Sequence, residues 1–250
     1  MPPLGLHMTA ARELANQLGS PIVDAERGAY YIGSTTPDIR VLTRCDRSET
    51  HFFDLDDFED QDGVHRLLDL YPVLRDVSAL TVQTASFVAG YISHLVLDED
   101  YITQIYRPLF GERSPLKEEA LAGIMDKALQ YDVDMSERQD EERVNEIRIA
   151  LAEAAVEIEV DFIARDTLRQ WRDVTLDSFS QRPSVERFAR FINRRLNHID
   201  PGDEPRMAAF VDEVPALLHR TWQHVGEERV REYLHDTRTR ALRAMKEYLS

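Results

Sequence analysis

Residues 77–97, VSALTVQTASFVAGYISHLVL, pass without a single Asp, Glu, Lys or Arg, and the reading of this stretch decides the fold. Its length is about that of a bilayer span. However, Thr81, Gln83, Thr84, Ser86, Ser93 and His94 interrupt it and Gly90 lies near its middle, which is too polar for lipid. The stretch reads instead as a helix, Ser78 to Leu97, enclosed by other helices in a protein core.

Working outward, turns and caps divide the chain. A first helix is expected from near Thr9 to Leu18, ended by Gly19, Ser20 and Pro21. His7, Ala11, Leu14 and Leu18 fall on one face, which points His7 inward. In GSTTPDI, Pro37 holds Thr36 extended and places Asp38 in a loop or first turn. The polar stretch TRCDRSETHFFDLDDFEDQDG reads as a long structured loop with two aromatics pressed into the core. Further helices are expected at Val64–Tyr71, Leu116–Tyr131, Ser184–Ile199, Pro205–Leu218 (weakened by Pro215) and Glu227–Leu249, the last an exposed, charge-laced helix. Glu137 to about Leu176 has no Gly or Pro and reads as one very long helical tract with room for a bend. No run of period-2 alternation stands out. The expected fold class is all-α, one multi-helix domain over 1–250 with seven to nine helices, in which residues 1–110 supply a site and 111–250 pack around it.

The 250 residues carry 30 Lys+Arg against 46 Asp+Glu, a formal charge of −16. Such a chain repels phosphate at long range, so neither nucleic acid nor an anionic membrane surface is expected as the main partner, and no stable membrane insertion. Cys45 is the sole cysteine, which excludes an intramolecular disulfide, and the opening MPPLGLHM lacks the pattern of a secretory signal. Both point to a cytoplasmic protein.

The chemistry concentrates on the central helix. His94 and Asp98 are four residues apart, about 6 Å along the axis, so both side chains reach one cation. A buried ionised Asp costs several kcal/mol unless paired or coordinated; a His–Asp hydrogen bond within the core and a metal both answer that need. His7, Asp38 and His51 (in THFFD) each have a bland reading as core histidine, turn residue and surface histidine. Together with His94 and Asp98 they form a set of imidazole and carboxylate donors of the kind zinc takes. His235–Asp236 imitates a metal dyad but reads as a surface pair, and Cys45 as incidental.

In that order and spacing (an early His at a helix start, GSTTPDI, THFFD and GYISHLVLD) the sequence resembles the zinc-dependent phospholipase C family, an all-helical group related to zinc-dependent single-strand nucleases. The resemblance covers His7 to Asp98. It implies that Asp38, His51, His94 and Asp98 hold one zinc, that Asp98 bridges to a second zinc also held by His7, and that Asp38 is catalytic, orienting or deprotonating the attacking water. It implies a hydrolase of phosphate esters or phosphodiesters with a phosphate-ester or phospholipid-like substrate.

The chain departs from the family in two places. Secreted members use the free amino terminus as a ligand, whereas here Met1 to Leu6 precede His7. A third zinc needs a further His and a Glu, yet after Asp98 the next histidine is His198. The third site is therefore expected to be absent or built from carboxylates, with Asp100, Asp132 and Asp134 as the substitutes on offer, each of which reads better as a solvated surface charge. The alternative function is a helical scaffold or partner-binding protein that keeps one structural metal, and the long charged helix leaves self-association open.

Overall fold

The structure, a computed structural model, describes residues 3–55, 57–59, 61–116, 119–192 and 204–250. Among these there is no strand, and nine helices reach eight residues or more. The central helix runs Val82–Asp100, opened by the Thr81 side chain, which accepts from the Thr84 N–H. Every residue from Thr84 to Asp98 is buried, as expected for a helix packed on all sides. It lies against the helix Arg27–Gly33, the closing helix Glu227–Leu249 and the shorter Pro21–Ala25 and Gly63–Leu70. Beyond Asp100 the chain widens into a π-helical stretch, Tyr101–Tyr106, before a last turn at Arg107–Leu109. Pro108 has no N–H for the carbonyl of Gln104; that carbonyl accepts from Arg229 at 3.2 Å.

Two glycines set the closest approach in the molecule's centre. A Cβ on Gly33 would stand 2.0 Å from the carbonyl oxygen of Phe87, and one on Gly90 2.0 Å from that of Tyr30. The backbone that approaches Gly90 is thus the helix Arg27–Gly33, and any larger residue on either side would force the two helices apart.

Several expectations are corrected, among them the start of the central helix, which lies at Val82 and not at Ser78. The first helix begins earlier, at Leu4. The closing helix is not an exposed rod: Val230, Tyr233, Thr237, Ala241, Met245 and Tyr248 form a buried stripe at three- and four-residue steps, and Tyr30 Oη donates to Met245 Sδ. The tract 137–176 is not one helix. It divides into Glu119–Glu137, Glu141–Glu153 and Arg165–Ser180, with a non-helical segment at 154–164. Within that segment burial alternates: Val156 and Ile158 are buried, Glu157 and Glu159 exposed. One helix cannot bury both 156 and 158, which lie about 200° apart around its axis. β-Branched residues at every second position favour an extended chain. With no neighbouring strand, its N–H groups find side chains at the start of the central helix: Glu157 donates to Gln83 Oε1 at 2.5 Å and Glu159 to Thr84 Oγ1 at 3.0 Å.

The helix expected at Leu116–Tyr131 is displaced to Glu119–Glu137, and Gly63–Leu70 is as expected to within a residue. Val185–Ile192 forms, while the remainder of the expected 184–199 helix, with His198, lies outside the described residues, as does Met1. Glu204–Val225 passes through Pro215 without stopping.

Candidate metal centre

Four separate elements deliver the five predicted donors. His7 comes from the first helix, Leu4–Leu18. Asp38 comes from a 3-10 turn, Thr36–Ile39, that follows Arg27–Gly33. This turn is tied back by its own hydroxyls: Ser34 donates to Tyr31 O, and Thr35 and Thr36 to Ile32 O. Trp171 Nε1 adds a bond to Thr35 Oγ1 at 3.2 Å. His51 ends a single helical turn, Ser48–His51, which Phe52 closes in the left-handed region at φ 54°. That conformation is uncommon outside Gly and Asn, and it is accompanied by the burial of Phe52 and Phe53 expected from HFF. His94 and Asp98 come from the central helix.

All five converge. His7, His94 and Asp98 each offer a donor atom within 4.8 Å of the others, and so do Asp38, His51 and His94. None is more than 6 % exposed, Asp38 being the most open. His94 Nδ1 lies 2.8 Å from the carbonyl oxygen of Ser34. A carbonyl only accepts, so Nδ1 carries the proton and Nε2 keeps its lone pair. His51 Nδ1 lies 3.2 Å from Thr50 Oγ1, whose own proton goes to Arg47 O, which again leaves Nε2 as the lone-pair nitrogen. Orientation of an imidazole through its far nitrogen is characteristic of metal-ligating histidines.

The near nitrogens and oxygens then have nothing to bond. Both ring nitrogens of His7, Nε2 of His51 and of His94, and Oδ1 of Asp38 and of Asp98 are buried without a hydrogen-bond partner. The His–Asp hydrogen bond that would make the cluster an ordinary polar core is not formed: His51 Nε2 stands 3.6 Å from Asp38 Oδ1 and 3.7 Å from Asp98 Oδ2. Donors at about 2.0–2.2 Å from a tetrahedral cation stand roughly 3.3–3.6 Å from each other. Unpaired buried polar groups each cost about 1–3 kcal/mol, so a cluster of them is unfavourable in the absence of a shared partner. The donor set fits a borderline-soft divalent cation.

Electrostatics agree. Burial lowers His7 well below its ordinary value, with neighbouring His94 acting the same way; burial also lowers His94, to about 4. Both imidazoles are therefore neutral and able to ligate at neutral pH. Burial alone would raise Asp38 and Asp98. For Asp38 the neighbouring His51 and then His94 outweigh it, and for Asp98 the Arg47 guanidinium does, so both carboxyls lie below the usual range.

Arg47 joins the five donors as a buried neighbour. It is 7 % exposed, pairs with Asp98 Oδ2, and donates to Phe53 O at 2.9 Å. The available signal was its position four residues before His51, which puts both on one face of a short turn. Asp100 and Asp134, read as solvated, are buried instead. Asp100 pairs with Arg240, and Asp134 lies 3.4 Å from Arg138, while Asp132 accepts from Trp222 Nε1. Their surroundings are hydrophobic helix packing, which requires a counter-charge for any carboxylate left inside. His235 and Asp236 are exposed, and Cys45 is half-buried beside Thr43 Oγ1. No helix is long and apolar enough to cross a membrane among the described residues. Comparison with family models, with curated proteins and with solved structures returns no match.

Proposed function

We propose that the protein is a zinc-dependent hydrolase of phosphate esters or phosphodiesters. The observation that carries this reading is the convergence of five buried donors whose facing atoms lack hydrogen-bond partners. The residues that would hold the cation are His7, Asp38, His51, His94 and Asp98. Zinc bound there would supply Lewis acidity and make a bound water more acidic. Asp38, the most exposed of the five and ionised, receives and orients the attacking water and takes its proton as the water oxygen bonds to phosphorus. The bond from phosphorus to the leaving oxygen breaks, and that oxygen takes up a proton. Ser34 and Thr50 fix the two imidazoles whose orientation the centre requires, and Arg47 fixes Asp98. Depth within the core excludes bulk water, which strengthens every charge interaction at the phosphoryl group.

The same depth supports a second reading, in which the cation is structural and the protein is a scaffold or partner-binding module: 0–6 % exposure of the donors suits a closed coordination sphere. Metal-stripped protein reloaded with zinc and assayed on p-nitrophenyl phosphorylcholine and p-nitrophenyl phosphate separates the two. Hydrolysis that chelation removes and Asp38→Asn reduces by about 10²-fold or more supports the hydrolase. Tight zinc binding with no turnover of either ester leaves the scaffold.

A further inference from the structure

We propose that the centre holds one divalent cation, not two, and that the guanidinium of Arg47 supplies the positive charge a second cation would otherwise bring. This rests on the metal reading above.

Three observations converge on it. Both triads draw on His94. Its Nδ1 is committed to Ser34 O, so only Nε2 has a lone pair to give, and one imidazole nitrogen ligates one cation. Whichever group takes His94, the other is left with two side chains, either Asp38 and His51 or His7 and Asp98, fewer than the three or four protein ligands of known zinc sites. The one further donor at hand among the described residues is Asp98 Oδ2, 3.7 Å from His51 Nε2.

The second observation concerns Asp98, the residue that would have to bridge two ions. Arg47 occupies its Oδ2, and only Oδ1 is without a partner. A carboxylate shared between two cations in the ordinary way gives one oxygen to each. Here one of the two is already held by a guanidinium that is itself buried and anchored on Phe53 O.

The third is the charge of the cluster. An imidazole ligates a cation in its neutral form, so the two carboxylates and one guanidinium of the cluster contribute a single negative charge. One divalent cation brings the buried cluster to a single positive charge, which a phosphate ester would neutralise. A second would leave three positive charges in a site no more than 7 % exposed, against the desolvation cost of each.

The test is a count of ions. The metal-stripped full-length chain is titrated with zinc, desalted and weighed by native mass spectrometry. The count in a His51→Ala/Asp98→Ala double variant, which removes a donor from each triad, is subtracted to discount surface carboxylates. The wild type should retain one zinc, Arg47→Ala two, and Arg47→Lys, which restores the charge, one. If Arg47→Ala does not give the wild-type helical circular dichroism, the neutral Arg47→Gln takes its place. Two zinc ions in the wild type would overturn the proposal while leaving the metal reading intact. A folded neutral variant that still retains one would overturn the role given to Arg47. No zinc above the blank in the wild type would overturn the metal reading itself.

Discussion

The imidazole of His7 lies flat against that of His94, with ring centroids 3.8 Å apart and planes 10° from parallel. One ring belongs to the first helix and the other to the central helix. Neither ring nitrogen of His7 and only one of His94 has a hydrogen-bond partner. Two neutral imidazoles held this way inside a core gain stacking but leave polar atoms stranded, so the site should be a weak point of the metal-free protein. Adding zinc at about a thousand times its dissociation constant should stabilise the fold by about 4 kcal/mol, a rise in Tm of roughly 8–16 °C for a chain of this size. Thermal unfolding with and without zinc, followed by chelation, measures it. An unchanged Tm would argue against a bound ion.

The glycine seam should respond oppositely to a glycine elsewhere. Alanine favours helix over glycine by about 1 kcal/mol. At Gly123, within Glu119–Glu137, nothing lies within 4 Å of an added Cβ, and Gly123→Ala should stabilise by about 0.5–1 kcal/mol. At Gly90 the Cβ would meet the Tyr30 carbonyl, and Gly90→Ala should destabilise by about 1–3 kcal/mol. Because the Ser34–His94 bond spans the same seam, zinc affinity should fall in that variant alone. Urea unfolding gives the sign at each position.

The alternating segment predicts alternating sensitivity. Ile158→Ala should cost about 2–4 kcal/mol, since the side chain is 2 % exposed. Glu157→Ala, one residue away, removes only exposed ion pairs with Arg165 and Arg169 and should change stability by about 0.5 kcal/mol or less. Comparable losses at both positions would contradict the packing described.

Asp134 should make stability depend on pH. Burial pushes its carboxyl up to about 6, against the pull of Arg138. The folded protein thus holds this proton more tightly than the unfolded chain, whose value is about 3.9. The resulting stabilisation is fully present below about pH 4 and is lost as pH rises through about 6. Asp134→Asn cannot titrate, so its stability relative to wild type should improve by roughly 1–3 kcal/mol between pH 4 and pH 7.5. Denaturant unfolding of both proteins at the two pH values checks it, and a difference that does not vary with pH would exclude the assignment.

The readable parts of this protein were those set by short-range regularities. The uncharged stretch before Asp98 has one sensible structure in water, and His94 and Asp98 must share a helix face once that helix exists. His7 could be aimed inward from its neighbours at three- and four-residue steps. The segment at 154–164 is not legible in the sequence for a related reason. Scattered apolar residues can be threaded onto a helical stripe over any long tract without Gly or Pro, and the two-residue alternation of Val156 and Ile158 was lost within it. Asp100 and Asp134 were misplaced because a single carboxylate has the same local signature whether it meets water or a distant arginine.

Sequence alone determined an all-helical chain with an enclosed central helix, and five residues whose chemistry suits a cation. Tertiary structure decided that those five come from four elements into one cluster, that Gly33 and Gly90 permit the approach, and that Arg47 takes one oxygen of Asp98. The reason is physical. Periodicity and capping depend on neighbours within a few residues, whereas convergence depends on how closely helices distant in sequence can pack, a property of surfaces that exist only after folding.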